Sequence, residues 1–191
     1  MVIKADDLGA MSAKDVAKAL PAQLGKLPID KVNGERQVAQ LIALNEISMN
    51  TAGNAAEADT NVNNFLGKMY SSDTNQRLKK QHKINLPERY AAGKETGKTD
   101  FDVFSDVVDE IIAKDKNSQN LVKKIQNAKS NSEKMELLET QQAIFEQSGL
   151  SGILPDMQAL MALVASKRYG GNWEKLTTTA MNDGVATRDL K

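Results

Sequence analysis

The feature that most restricts the fold is a stripe: Phe101, Phe104, Val107, Val108, Ile111 and Ile112 recur at three- and four-residue steps. That spacing lines one face of an α-helix and no face of a strand. Thr99 stands just before the stripe with Asp102 three residues on. In that arrangement each side chain bonds the other residue's backbone N–H and fixes a helix start. The same grammar recurs along the chain. Ser12 with Asp15 starts a helix that should end near Leu20, and Leu121, Val122 and Ile125 predict another over 118–129. A third should run from Ser132 through Met135, Leu138, Ile144 and Phe145 to Gly149. Pro155 suits the first turn of a fourth, which carries Met157, Leu160, Met161 and Val164 and is stopped by Gly170 and Gly171. Asn172 then caps a last helix with Trp173 and Leu176 that closes before Gly184, leaving Val185 to Lys191 to fray.

No segment alternates with period two, so the expected class is all-α, a bundle of six to eight helices. Only eight of 191 residues are aromatic, which makes the core aliphatic and favours helices packed on helices over a β-sandwich. Before the stripe the pattern is looser. Pro21, Gly25, Pro28 and Gly34 mark a surface loop. From Val38 and Leu41 to Leu66 and Met69 the steps predict one long helix, running through the small, polar stretch Asn50 to Asn64. The segment 73–98 is polar and basic, is broken by Pro87, Gly93 and Gly97, and reads as a solvated linker. The resulting division is 1–72 with longer helices, 73–98 as the basic linker, and 99–191 as a compact helical bundle.

The chemistry is defined mostly by what is missing. Without cysteine there are no disulfides, thiolate zinc sites or cysteine nucleophiles. The lone histidine, His82, sits among Lys79, Lys80 and Lys83 with no carboxylate near in sequence, and is expected to be solvent-exposed. Asp100, Asp102, Asp106, Asp109 and Glu110 could hold a hard cation or form an acid–base pair. They also suit the N-terminus and wet face of one helix, and the calcium-loop spacing is absent. No glycine cluster forms a phosphate loop. No catalytic residue, metal site or cofactor is therefore predicted.

Two candidate surfaces remain. Met157, Leu160, Met161 and Val164 form an adaptable apolar face for a protein partner, or an ordinary core. Arg77, Lys79, Lys80, Lys83 and Arg89 could contact phosphate or an acidic partner, or simply be hydrated. The 25 basic and 25 acidic residues cancel, which disfavours a dedicated nucleic-acid binder. No run approaches the roughly 18 apolar residues of a membrane span. Met1 to Asp7 has no apolar run behind it, so the chain is expected to be cytoplasmic or exported without a cleavable signal peptide.

Ten residues, Asp7 to Val16 (DLGAMSAKDV), are similar to the start of some type III secretion filament subunits. Substrates and structural proteins of such systems share the cysteine-free, aromatic-poor, helical composition. The resemblance implies a secretion- or virulence-associated protein that binds partners or self-assembles. Three functions follow from the sequence: a non-enzymatic helical interaction or self-assembling protein, a phage or plasmid structural or nucleic-acid-associated protein, and a carboxylate-dependent hydrolase. The first predicts a protein partner or a homo-oligomer.

Overall fold

The computed structural model describes residues 11–29, 31–49, 52, 54–128, 130–168 and 172–186. Among the described residues every regular element is helical. In order they are α1 (Ala13–Leu24), α2 (Gly34–Met49), α3 (Ala55–Met69), α4 (Ser72–Arg77) running on into a π turn (Leu78–His82), α5 (Leu86–Glu95) and α6 (Asp100–Lys114). Then follow α7 (Lys116–Asn127), α8 (Asn131–Thr140), α9 (Gln142–Glu146), α10 (Met157–Arg168) and α11 (Asn172–Ala186). The eleven α-helices among the described residues exceed the six to eight expected because two expected helices are split and the linker is helical.

The caps explain most starts. Ser12 Oγ accepts the Asp15 N–H at 3.2 Å, and α1 then continues past Leu20 and through Pro21 to Leu24. At α6, Thr99 Oγ accepts the Asp102 N–H at 3.2 Å while Asp102 Oδ2 accepts the Thr99 N–H at 3.0 Å. The Thr99 hydroxyl also lies 2.6 Å from Gln40 Oε1, and Gln40 Nε2 donates to Asp102 Oδ1 at 2.8 Å, so this start is tied to α2. Thr99→Ala removes the cap and leaves buried Gln40 without that donor. We expect it to lower unfolding free energy by about 1–2 kcal/mol, read from urea denaturation.

The single long helix expected between Val38 and Met69 is two. Asn54 caps α3 by accepting the Glu57 N–H at 3.0 Å, which marks the start of a second helix. The helix expected from Ser132 to Gly149 starts earlier, with a capping box between Ser130 and Glu133, and breaks at Gln141. Pro155 precedes the helix start rather than occupying its first turn: Asp156 Oδ1 accepts the Ala159 N–H at 2.8 Å. Gly184 does not stop α11, which continues to Ala186. Asp7 to Ala10, Gly53, Gly170, Gly171, residues 187–191 and the side chains of Met135, Asn172 and Trp173 lie outside the described residues.

The segment 73–98, expected as a solvated linker, is folded. Leu78, Ile84 and Leu86 are fully buried in the same core as Leu41 and Leu44 of α2 and Leu121 and Leu160 further on. Asn75 Oδ1 accepts the Leu86 N–H at 3.2 Å, which folds α5 back on α4. Pro87 sits in the first turn of α5, where no N–H is needed. One core therefore draws on residues before, within and after this segment.

α2 is the axis of the molecule. It is buried from Ala39 to Ser48 and at Gln37, with α1, α3, α10 and α11 packed around it. Buried Asn45 pairs reciprocally with α1: Gln23 Nε2 donates to Asn45 Oδ1 at 2.9 Å and Asn45 Nδ2 to Gln23 Oε1 at 2.7 Å. A buried amide without a partner costs about 1–3 kcal/mol, so this reciprocal pair fixes the seating of α1 on α2. A smaller apolar cluster of Met11, Val16, Ala19, Ala39, Ile42 and Ala180 holds α1 and α11 to the same helix.

Candidate functional site

The apolar candidate surface is interior. Met157, Leu160, Met161 and Val164 are 0–3% exposed and belong to the main core. α10 packs against α2, α3, α7 and α11, and these contacts consume the face that the sequence offered to a partner. The exposed large apolar side chains among the described residues are instead Ile29 and Val32, in the loop between α1 and α2.

The basic candidates divide into two groups. Arg77 Nε binds both carboxylate oxygens of Asp73, at 3.2 and 3.0 Å, one helical turn away. Arg89 Nη2 reaches Glu110 Oε2 on α6 at 3.0 Å. These two are spent within the fold. Lys79, Lys80 and Lys83 are exposed and form no ion pair with a described residue; Lys83 Nζ donates only to the Lys80 carbonyl, at 3.4 Å.

The acidic face of α6 accounts for Arg89 and for three further cations. Arg36 approaches Asp102 at 3.6 Å, Lys98 meets Asp106 at 2.6 Å, and Glu110 binds both Arg89 and Lys114. Bonding from Lys114, with Arg89 beside it, holds the Glu110 carboxyl below the usual range against the opposing effect of burial. Pairs this exposed contribute little each, about 0–1 kcal/mol, and of them Arg89–Glu110 joins α5 to α6. Between the two helices runs an open groove of about 240 Å³ with Gly93, Val103 and Val107 in its floor. Of the carboxylates that the sequence offered as a set, Asp100, Asp102, Asp106 and Glu110 each lie against a cation. Among the described residues no group of three His, Asp or Glu is placed to hold a metal.

His82 is half-buried rather than exposed. Its Nε2 is enclosed and has no hydrogen-bond partner. Gly149 fits between it and Asp115: an added Cβ would lie 3.5 Å from His82 Cε1 and 3.6 Å from Asp115 Cβ. Asp115 caps α7, accepting from the Ser118 N–H at 2.7 Å, the Ser118 hydroxyl at 2.5 Å and the Gly149 N–H at 3.2 Å. Burial alone would raise its carboxyl. Those three bonds and the nearby imidazole outweigh it and hold the carboxyl below the usual range. Asp115, bonded to the start of α7 and to the Gly149 N–H, anchors the turn that carries Gly149.

Asp100 is a second buried carboxylate, 2% exposed, which accepts from the Tyr70 hydroxyl at 3.1 Å with Lys94 at 4.0 Å. Burial, with the Asp100 charge next, pushes the Tyr70 hydroxyl well above the usual tyrosine range. Tyr90 packs on Tyr70 with ring centroids 5.9 Å apart and donates to the Met69 carbonyl at 2.9 Å. Both tyrosines are thus committed to the fold.

Over 179 residues the chain is 25% identical to the probable tape measure protein of Burkholderia phage BcepMu. The similarity takes in 94% of this chain and 20% of the phage protein, so the chain spans about a fifth of that relative's length. No family model matches the chain, and no solved structure matches it. Among the described residues no helix is long and apolar enough to cross a membrane.

The sequence did not point to the Asp115–Gly149–His82 junction or to the α5–α6 groove. Their parts lie up to 67 positions apart, and nothing local marks them except Asp115 three residues before Ser118, a usable cap signal.

Proposed function

We propose that this chain is a folded helical unit of a phage structural protein of the tape measure kind, working through protein packing rather than catalysis. The observation that carries this reading is the similarity to the phage protein along almost the whole chain. The secretion-associated alternative rests on ten residues and on composition, so it has far less of the chain behind it. The charge arrangement agrees with a structural role. Arg89 of α5 and Glu110 of α6 neutralise one another, as do Lys98 and Asp106, and buried Asn45 of α2 is engaged in seating α1. Its partners on this reading are other structural proteins of the particle or further copies of the same protein.

Particles purified from the phage or prophage that encodes the chain provide the test. Peptides from residues 11–186 should appear by mass spectrometry at a constant ratio to the other tail proteins across a density gradient. Recovery of the chain solely from the unassembled fraction would reject the reading.

A further inference from the structure

We propose that the π turn Leu78–His82 with Lys83 is a phosphate-contact site for duplex nucleic acid, made by Lys79, Lys80 and Lys83. The inference stands independently of the phage reading.

Four observations converge on these three lysines. The first is charge. Thr74 to Pro87 contains no Asp or Glu, and the fold brings no carboxylate into an ion pair with the three. The other candidate cations, Arg77 and Arg89, are neutralised within the structure. The chain's net charge of zero thus hides a local excess of one sign.

The second is the mounting. Leu78 and Ile84 are 0% and 2% exposed, and the Ile84 N–H closes on the Leu78 carbonyl at 3.1 Å. Both ends of the turn are pinned in the core, which fixes where the intervening lysines emerge.

The third is the backbone. Lys83 has φ of 61°, the one left-handed non-glycine conformation among the described residues, and it follows a π turn. Each is uncommon, and the left-handed lysine costs on the order of 1 kcal/mol, which the surrounding packing must over-determine. A tighter, unstrained turn would point Lys80 and Lys83 elsewhere.

The fourth is what surrounds the turn. Gln81 and Lys83 are exposed and Asn85 is half-buried, so no exposed apolar side chain is present to bury. Protein interfaces are depleted in lysine at their cores and enriched in aromatics, which argues against a protein occupant. Tyr90 is committed to Tyr70 and to the Met69 carbonyl, so there is no platform for stacking unpaired bases. Three flexible point charges suit the phosphates of a duplex.

Fluorescence anisotropy of the full chain with a labelled 30-base-pair duplex tests this. Three phosphate contacts give a salt slope near −2.7, so affinity should fall about 40-fold between 50 and 200 mM salt. Lys79→Gln/Lys80→Gln/Lys83→Gln should abolish binding, and each single substitution should reduce the slope by about one. The same charge change at exposed Lys14, Lys18 and Lys31 should leave binding intact. The single variants keep the test available should the triple variant fold poorly by circular dichroism. No binding at 50 mM salt, an unchanged affinity in the single variants, or binding to polyglutamate in place of the duplex overturns the proposal.

Discussion

Phe104→Ala is expected to cost about 3–5 kcal/mol of unfolding free energy, the range for emptying an aromatic site that cannot collapse. Phe104 is fully buried and meets Phe65 of α3 edge-on, with centroids 5.5 Å apart and an interplanar angle of 88°. That contact joins the first part of the chain to the helix whose start was clearest in the sequence. Truncation therefore removes both the ring's own burial and the aromatic contact, worth about 0.5–1.5 kcal/mol in addition. Because Phe65 and Phe104 belong to one core, the loss should appear in a single transition. Tyrosine absorbance, from Tyr70 and Tyr90 packed on that core, and far-ultraviolet circular dichroism should lose their signals at one shared, lowered urea midpoint. Two separated transitions, with only one of them moved, would show that the two parts of the chain fold independently.

Gly93→Ala is expected to destabilise by about 2 kcal/mol, although the position lies within a helix where alanine normally gains about 1 kcal/mol over glycine. The reason is α6. A Cβ on Gly93 would overlap the Cγ2 methyl of Val103, which a β-branched side chain in a helix cannot easily turn away. Steric overlap wins, and α5 must lift from α6. In a Val103→Ala background the overlap is gone, so there the same substitution should become stabilising. A double-mutant cycle in urea reads this as a coupling of about 2–3 kcal/mol. Additive effects would mean that the helices do not approach closely at Gly93.

The contrast between α6 and the segment before it shows what the sequence made legible. Thr99, Asp102 and the Phe101–Ile112 stripe specify a helix within some 14 residues, using bonds and periodicity that are local. The all-α class followed from many such signals. Between Asp73 and Lys98 the average composition is that of a hydrated linker, because burial rests on a few residues. Leu78, Ile84 and Leu86 are each almost wholly enclosed, and three complete burials at about 1.5–3 kcal/mol apiece are enough to order the segment. Averages over a window hide this. α2 failed to stand out for the opposite reason. Gln40, Asn45 and Glu46 suggest a solvent face, yet Gln40 pairs with the start of α6, Asn45 with Gln23 of α1 and Glu46 with the Met11 N–H, which no local pattern shows. The candidate surfaces illustrate both effects. The apolar set around Met161 was legible as a helical face, but only the packing of α10 showed which way it points. The basic set could be seen in the sequence, while its division into neutralised arginines and unneutralised lysines depended on which carboxylates the fold supplies, Asp73 one turn from Arg77 and Glu110 21 positions from Arg89.

The shared footing of α1 and α11 on α2 bears on how such a unit extends a longer polypeptide. Val16 and Ala180 belong to one cluster against Ala39 and Ile42, so the path returns to its own starting place. As one unbroken helix the residues between them would stretch roughly 250 Å; folded, the same residues begin and end within about 20 Å, two helix diameters. Reach and residue count are uncoupled over this stretch. Insertions here would alter the girth of the unit and hardly its span, and any protein whose reach is counted in residues would carry it as a knot in the string.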